Sequence, residues 1–284
     1  MASLRDIRKH IRSVSSIKKI TRTMEMVAGA RMHKATSTLF ASRPYARLAW
    51  ELIQTLSTRA EPDLHPLFQI RPVNKTLIIL VTSDRGLCGS FNINLIHQAL
   101  TLVTDKERFK FISVGKKGRD FLIRRGYRVI AEFTGLSAPV PFLQILPISQ
   151  IALQEFSTLQ VDEVLIVYSD FISNLVQKPS VLKILPLRRI GVEPMVVSPF
   201  IYEPSAEEVL TSLITRIIEY EIYAAILESQ ASEFAARMVA MKNATENAER
   251  LISDLILSFN KARQETITKE LTELTTARAV IEQK

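Results

Sequence analysis

Cysteine, glycine and proline are scarce in this 284-residue chain, and the places where they are missing are informative. A single cysteine, Cys88, excludes a disulfide framework and fits a reducing compartment. Residues 1–43 contain one glycine, Gly29, and no proline, while residues 205–284 contain neither. Because both residue types interrupt helices, the two ends of the chain are predicted to be long helices around a punctuated middle.

Long hydrophobic runs are also missing. No stretch reaches the roughly 18 apolar residues that a membrane-spanning helix needs. The first residues, "MASLRDIRKHIRS", lack the apolar core of a secretory signal, so we expect none. Apolar residues nevertheless make up 47% of the chain, which excludes wholesale disorder and is enough for one or two domains with a core.

Acidic residues are sparse at the N-terminal end. Up to Arg47 there are eleven Lys and Arg but only two acids, Asp6 and Glu25, and the net charge of the chain is +8. A basic end suggests an acidic partner, which could be nucleic acid, anionic lipid or a protein surface. The basic residues surround the predicted N-terminal helix. This arrangement suits a shaft inside an acidic collar better than a helix lying along a duplex.

The C-terminal segment has the most regular pattern. It begins with a capping-box pattern, in which Ser205 follows Pro204 and precedes Glu208 by three residues. Apolar residues then recur at a 3-4 spacing for about seven heptads, which predicts a coiled-coil seam. The seam positions are Leu210, Leu213, Ile217, Tyr220, Ala224, Leu227, Ala231, Phe234, Met238, Met241, Thr245, Ala248, Ile252, Leu255, Phe259 and Ala262.

The N-terminal segment carries a matching apolar stripe. Its positions are Leu4, Ile7, Ile11, Val14, Ile17, Ile20, Met24 and Val27. The step from Val14 to Ile17 is three residues where a heptad expects four, so we expect the seam to shift phase there. The helical pattern resumes beyond Pro44, which is expected to kink the helix without ending it.

An antiparallel pair of these helices would be unequal in length. At the rise of an α-helix, the two segments measure about 85 Å and about 120 Å. The N-terminal helix would therefore end opposite Ala262. The apolar residues beyond that point, Ile267, Leu271, Leu274, Val280 and Ile281, would have no partner within the chain. An apolar stripe of this kind should be covered by another protein or fray.

The middle of the chain alternates between strand and helix patterns. Strands are predicted at 76–83, 109–115, 127–135, 163–171 and 180–187, and helices at 92–103, 116–126 and 147–159. This alternation is typical of an α/β layer with a mostly parallel sheet. The predicted fold is thus mixed, with a Rossmann-like α/β domain at 74–200 between coiled-coil helices at 1–57 and 205–284.

The most glycine-dense turn is "TSDRGLCGSFN" (82–92), which follows a buried strand pattern. Its glycine spacing fits neither a phosphate-binding loop nor a dinucleotide fingerprint. The simpler interpretation is a tight strand-to-helix turn that displays Asp84, Arg85 and Cys88 at the surface. His97, on the next helix, is expected to face away from Cys88, so a nucleophilic thiol is not favoured.

No other chemistry is predicted from the residues. The four histidines show no metal-ligand spacing, and we predict no catalytic residue, metal or cofactor. The basic segment lacks interleaved aromatics and any nucleic-acid motif. From the residues alone three classes stay open: a shaft or scaffold, a basic coiled-coil nucleic-acid-binding protein, and an enzyme.

Several of these stretches, in order along nearly the whole chain, resemble the gamma subunit of F-type ATP synthase. The residues that carry the resemblance are "MASLRDIRKHIRSVSSIKKITRTMEMVAGARM", "TSDRGLCGSFN", "YEPSAEEVL", "EFAARMVAMKNATENAERLI" and "NKARQETITKELTEL". The resemblance implies a non-catalytic central rotor stalk, present in one copy per complex. It couples ion flow through the c-ring to ATP synthesis or hydrolysis in the alpha3beta3 hexamer, and it also contacts the epsilon subunit.

The resemblance also implies which residues meet the partners. Those expected at the beta subunit are Met24, Asp84, Arg85, Cys88, Arg263, Gln264, Thr268 and Glu270. Those expected at the foot, near the c-ring and epsilon, are Phe200, Tyr202 and Glu203. The implied location is peripheral, on the cytoplasmic face of a bacterial inner membrane.

Some residues depart from the family pattern. The stretch 186–200 lacks the acidic, lysine-flanked insert of some bacterial members, and Asp170 stands where many members carry lysine. The end, "TTARAVIEQK", is more charged than is common in the family. There is no cysteine-pair insert of the plant plastid type, so thiol switching is not expected.

Overall fold

A computed structural model describes residues 4–57, 66–187 and 206–282. Within these residues the α-helices are α1 (Leu4–Ser57), α2 (Phe91–Leu102), α3 (Lys116–Arg124), α4 (Leu146–Ser157) and α5 (Ala206–Glu282). The strands are β1 (Thr76–Val81), β2 (Phe109–Val114), β3 (Arg128–Phe133), β4 (Glu163–Phe171) and β5 (Gln177–Leu185).

The elements expected from the sequence are confirmed. Both long terminal helices form, and strands alternate with helices between them. Helix α1 continues through Pro44, as expected. The capping box proposed at Ser205 lies outside the described residues. The chain divides into two compact units, one made of residues 1–27 and 238–284 and the other of residues 28–237.

The first unit is an antiparallel pair of helices, formed by the start of α1 and the end of α5. Residue numbers rise along α1 as they fall along α5 in three successive contacts. These are the Arg8 guanidinium 5.4 Å from the Phe259 ring centroid, a 3.0 Å ion pair between Lys18 and Glu249, and a 2.8 Å hydrogen bond from Thr245 Oγ1 to Thr21 Oγ1.

The phase shift predicted after Val14 is wrong. Instead of continuing through Ile17, Ile20 and Val27, which are 50%, 58% and 48% exposed, the seam keeps an unbroken heptad spacing. Its heptad positions in this unit are all buried or half-buried, and they are Leu4, Ile7, Ile11, Val14, Lys18, Thr21 and Glu25. Ser15 and Met24, beside this seam, are half-buried as well. Two of the polar seam residues are satisfied by α5, because Thr21 is hydrogen-bonded to it and Lys18 is ion-paired with it.

The α5 side of this unit follows the predicted seam and then loses it. Met241, Thr245 and Ala248 are buried, and the seam continues through half-buried residues to Ala262. Every described side chain from 263 to 276 is exposed. The expectation of an apolar stripe without a partner within the chain is therefore confirmed for its described members, Ile267, Leu271 and Leu274.

The second unit contains a five-stranded sheet in the order β3-β2-β1-β4-β5. Strand β1 is parallel to both β2 and β4, with Ile79 opposite Ile112 on one side and Ile166 on the other. Strand β3 is parallel to β2, whereas β5 is antiparallel to β4. The mostly parallel sheet expected from the sequence is confirmed. The chain reverses direction across the sheet at β1, which is a topological switch point.

Helices cover both faces of this sheet. The side chains of each strand alternate between the two faces, and both faces are apolar and must be buried. Ile78 and Leu80 of β1 face a core that includes residues of α2 and α3. Leu77 and Ile79 face the other core, which includes residues of α4 and of α5. The fully buried β1 and β2 strands are hydrophobic throughout for this reason, apart from small polar residues and Lys110.

The part of α5 in this unit is buried on more than one stripe. Ile217, Leu227 and Phe234 occupy the predicted seam, but Ile214, Ile218, Ile222, Ile226, Ser229 and Ser232 are buried as well. Two of these additional residues contact the sheet, because Ser232 Oγ donates to Ser169 O at 3.1 Å and Ser169 N donates to Ser229 Oγ at 3.4 Å. A two-helix seam alone does not account for this burial.

Candidate partner-binding surfaces

The turn after β1 is built around Ser83 and Asn92. The backbone N–H of Ser83 donates to Asn92 Oδ1 at 2.9 Å, and Asn92 Nδ2 donates to Ser83 Oγ at 2.7 Å. These bonds tie the start of the turn to the first turn of α2. Ser83 Oγ also donates to Arg85 O at 2.6 Å, so the chain reverses sharply within three residues.

Asp84 joins this turn to the ends of two neighbouring strands. Its carboxylate accepts hydrogen bonds from the backbone N–H of Lys116 at 3.0 Å and of Gly135 at 2.8 Å. A carboxylate beside the positive end of α3 is electrostatically favourable. Asp84 is half-buried, so it acts within the fold while Arg85 and Leu87 beside it are exposed.

The first amides of α3 are therefore used within the chain. Lys116 N donates to Asp84, Lys117 N donates to Ser83 O at 3.1 Å, and Gly118 N donates to Thr82 Oγ1 at 2.8 Å. A helix N-terminus at this edge of a parallel sheet is where phosphate groups bind in nucleotide-binding proteins. Here those donors are already satisfied by side-chain and backbone oxygens.

Cys88 is not displayed at the surface, so the exposure predicted for it is wrong. Its side chain is buried at 2% exposure, with Asn92 Nδ2 3.2 Å from its Sγ. Burial raises the pKa of the Cys88 thiol, partly offset by its contact with Ser83. The thiol faces inward because Leu87, at φ 64°, turns the chain and is itself 62% exposed. His97, on α2, is exposed.

A buried ion pair on α5 lies against the same turn. Arg237 Nη1 is 2.7 Å from Glu233 Oε1, one helical turn away, and the two side chains are 11% and 16% exposed. Arg237 Nη2 also donates to Arg85 O at 3.2 Å and to Gly86 O at 3.3 Å. Burial raises the pKa of Glu233, and the charge of Arg237 opposes that shift.

A cavity of about 270 Å³ lies beside this ion pair. It is located at the carboxyl ends of β1, β2 and β3, and α5 also lines it. Among the described residues, no group of three or more His, Cys, Asp or Glu side chains could hold a metal ion.

In the first unit, Met24 lies on the same side of α1 as a stripe of exposed apolar residues. Met24 is half-buried, while Ile17, Ile20 and Val27 are about half-exposed at a 3-4-3 spacing around it. The exposed cations Lys19 and Arg22 occupy the same stretch of helix. An apolar stripe next to cations is suited to a partner surface that is apolar and acidic.

Of the remaining sites implied by the resemblance, the structure describes the one on α5 but not the one at the foot. Arg263, Gln264, Thr268 and Glu270 are all exposed on α5, in the part of the first unit where the helix seam has ended. The foot residues Phe200, Tyr202 and Glu203 lie outside the described residues.

Glu233 and Arg237 were not singled out in the sequence as site residues. A signal was present, because a Glu and an Arg four residues apart flank the seam residue Phe234. Charged residues next to a seam more often point to solvent, whereas here the turn after β1 packs against this part of α5 and accepts hydrogen bonds from Arg237.

Comparison with known proteins identifies the family. A family model described as ATP synthase matches residues 3–280. The ATP synthase gamma chain of Dehalococcoides mccartyi is 43% identical over 277 residues, covering 96% of this chain and 97% of the relative. That of Herpetosiphon aurantiacus is 40% identical over 295 residues and covers all of both chains.

Solved structures agree with the fold. A chain from the Tetrahymena thermophila mitochondrial ATP synthase central stalk and c-ring has a TM-score of 0.63 at 24% identity, covering 79% of this chain and 99% of that chain. A chain from the Euglena gracilis mitochondrial ATP synthase, in an assembly of OSCP, F1 and c-ring, has a TM-score of 0.70 at 19% identity. It covers 98% of this chain and 94% of that chain.

None of the helices in the described part of the chain is long and apolar enough to span a membrane.

The long terminal helices, the mostly parallel sheet formed by the residues between them in the sequence, and the full-length similarity to curated gamma chains agree with one another. The chain therefore belongs to the gamma chain family of ATP synthase, whose function is that of the central rotor stalk in an F-type ATP synthase.

Proposed function

We propose that this chain transmits rotation without catalysing ATP chemistry itself. It would turn with a c-ring and the epsilon subunit, as one copy inside an alpha3beta3 hexamer whose beta subunits make and release ATP. The observation that carries this proposal is the antiparallel helix pair whose longer member continues, fully exposed, from 263 to 276. Exposed apolar side chains along that stretch suit a surrounding protein sleeve.

The absence of catalysis is supported by the turn after β1. The donors that would bind a phosphate group at this edge of the sheet are used by Asp84, Ser83 and Thr82. Relatives named ATP synthase gamma chain, together with structural neighbours from a central stalk and c-ring, favour the rotor over a basic nucleic-acid-binding protein.

The contacts with beta are proposed at three places. The first is Met24 with its exposed apolar stripe and nearby cations. The second is the turn after β1, where the exposed side chains are those of Arg85 and Leu87, while Asp84 and the buried Cys88 would support them from within. The third is the exposed group on α5, which consists of Arg263, Gln264, Thr268 and Glu270.

The foot contacts and the location are proposed from the resemblance to the family. Phe200, Tyr202 and Glu203 are proposed to meet the c-ring and epsilon. The assembled chain would then be a peripheral protein at the cytoplasmic face of a bacterial plasma membrane. The gamma chains reported above are bacterial, which supports this location.

Two measurements test the proposal. Purification of the complex through an affinity tag on this chain should yield one copy per three alpha and three beta subunits. Calorimetry of the full-length chain with Mg-ATP should show no micromolar site, because the phosphate-binding donors are already occupied. Recovery of nucleic acid in place of alpha and beta would refute the rotor function, and a micromolar ATP site would refute the passive role.

A further inference from the structure

The turn after β1 is held by two separate sets of hydrogen bonds, one within the α/β layer and one from α5. Its base is held by Ser83, Asp84 and Asn92, which all bond within the α/β layer. Its outer part, the carbonyls of Arg85 and Gly86, is held by Arg237 from α5. We infer that Arg237 is a positioning residue that fixes the outer turn, so that Arg85 and Leu87 meet the partner in one orientation. This inference rests on the proposed contact between this turn and beta.

The geometry requires a guanidinium group. Nη1 of Arg237 is engaged by Glu233 at 2.7 Å, while Nη2 reaches two consecutive backbone carbonyls at 3.2 and 3.3 Å. The planar fork of arginine can serve an acid on one side and carbonyls on another, whereas the single ammonium group of lysine cannot hold the same set in one plane.

The surroundings of Arg237 make this contact specific. A buried charge is unfavourable unless it is paired and hydrogen-bonded. Glu233 provides the pairing, and the Phe234 ring lies 5.8 Å from the guanidinium carbon. The two carbonyls of the turn take further donors of the guanidinium, so withdrawing the turn from α5 would leave donors of a buried cation without acceptors.

The conformation of the turn needs stabilisation by residues outside the turn. Leu87 has a left-handed backbone, which a residue with a side chain adopts only at a cost, and its apolar side chain is exposed. Local bonds fix Arg85 O through Ser83, but Gly86 O receives its hydrogen bond from Arg237. A turn that must present an exposed leucine at an unfavourable φ is therefore stabilised by a residue 151 positions away in the sequence.

The reactivity of Cys88 can be used to measure how firmly Arg237 fixes the turn. It is the only cysteine in the chain, it is buried, and it follows closely in sequence the Arg85 and Gly86 carbonyls that Arg237 binds. Its reaction with an aromatic disulfide reagent in the full-length chain reports how often the turn opens. Because a hydrogen bond to a charged group is worth about a factor of ten or more in an opening equilibrium, Arg237→Gln should raise this rate at least about tenfold.

Matched variants separate positioning from general destabilisation. Arg237→Lys keeps the charge but loses the planar fork, so we expect a smaller rise in the rate. Arg216→Gln removes another ion-paired arginine of α5, bonded to Glu219 and not to the turn, and should leave the rate unchanged. Hydrogen exchange of Arg237→Lys should quicken in the turn at 84–90 and stay unchanged in β1.

Two results would overturn the inference. One is a Cys88 rate within about twofold of wild type in Arg237→Lys and Arg237→Gln chains that keep their circular dichroism. The other is exchange that quickens equally throughout the sheet, which would make Arg237 an ordinary core residue. These measurements involve no partner, so they do not depend on the rotor proposal.

A final comparison uses the assembled complex in membrane vesicles. Ion pumping per ATP hydrolysed should fall in Arg237→Lys while the complex stays intact, because the turn no longer meets beta in one orientation. If Cys88 reacts faster but coupling is unchanged, Arg237 does fix the turn, and the proposed contact of this turn with beta is wrong.

Discussion

Glu221 lies on α5 with its carboxyl group largely removed from water. Burial raises its pKa from an ordinary 4.5 to about 7. The nearby hydroxyl of Tyr168 has a pKa of about 12, raised first by burial and then by the charges of Glu228, Asp170 and Glu221. The folded chain therefore holds a proton on Glu221 over a pH range in which the unfolded chain releases it.

This difference predicts how stability depends on pH. The folded pKa is above the unfolded one, so the folded state binds the extra proton between about pH 4.5 and pH 7. Stability should fall as the pH rises through that window and stay lowered above it. Glu221→Gln should remove the dependence, raising the free energy of unfolding at pH 8 by at most about 3 kcal/mol and changing it little at pH 4.

Denaturant unfolding of the isolated chain at pH 4, 6 and 8 is the measurement for Glu221→Gln. The exposed Glu246 on the same helix provides the control, because Glu246→Gln removes a carboxylate without relieving burial. Equal effects of the two variants at every pH would show that Glu221 is not the group responsible.

Individual residues also show the limit of what the sequence predicts. The glycine pattern of 82–92 correctly predicted a turn between a strand and a helix. It did not predict that the Cys88 thiol faces inward, because that follows from the left-handed backbone of Leu87 and from Asn92 on the next helix. Contacts made across the fold determined the buried side of the turn.

The elements were predictable where one pattern dominates. The prediction for 163–171 matches β4 in full, because a short run rich in β-branched and aromatic residues favours a strand over a helix. The seam predicted for helix α1 is correct from Leu4 to Val14 and wrong after it, because the most apolar residues were assigned to the interface. Its seam instead uses Lys18, Thr21 and Glu25, and a seam threonine can be recognised only when its partner, Thr245, is known.

The seam of α1 can be tested by a pair of substitutions in the first unit. Val14 is 5% exposed and Ile20 is 58% exposed. Val14→Ala removes about two buried methyl-sized groups, so it should lower the free energy of unfolding by about 1.5 kcal/mol. Ile20→Ala should change it by less than about 0.5 kcal/mol, as expected for an exposed position.

The same pair distinguishes the fold from the partner surface. Titration of each variant into alpha3beta3 should show weaker binding for Ile20→Ala, because its side chain belongs to the exposed stripe around Met24. If Ile20→Ala destabilises the isolated chain as much as Val14→Ala, the seam described for α1 is incorrect. If it leaves both stability and assembly unchanged, the stripe is not a contact.

For the molecule as a whole, charge and length favoured a shaft but left a nucleic-acid-binding protein and an enzyme open, and the similarity to gamma chains decided the class. The net charge of +8 and the basic N-terminal end indicated an acidic partner, and the unequal helices indicated an unpaired C-terminal stretch. The burial of Ile214, Ile218 and Ile222 beside the seam was not predicted, because a two-helix pattern says nothing about a sheet that packs on the same helix. The domain boundaries at 57, 74, 200 and 205 remain predictions.

The exposed end of α5 leads to the last prediction. Removing residues 271–284 deletes Leu271 and Leu274, which are 57% and 67% exposed, and keeps the proposed beta contacts at Arg263, Gln264, Thr268 and Glu270. Since none of the described side chains removed contributes to a seam, the isolated truncated chain should unfold at the same temperature as wild type. Its circular dichroism should fall only by the helix removed.

The assembled complex should respond differently to the same truncation. Each leucine could contribute at most about 1.5–3 kcal/mol if a sleeve buried it fully, and a surface that allows rotation should use less. We therefore expect a lower yield of complex and a slower ATPase, with rotation retained. The double substitution Leu271→Ser, Leu274→Ser keeps the helix length and should reproduce most of the loss if apolar contact is the cause. If the isolated truncated chain unfolds well below wild type, this end of α5 stabilises the chain itself and a partner sleeve is not needed to explain it.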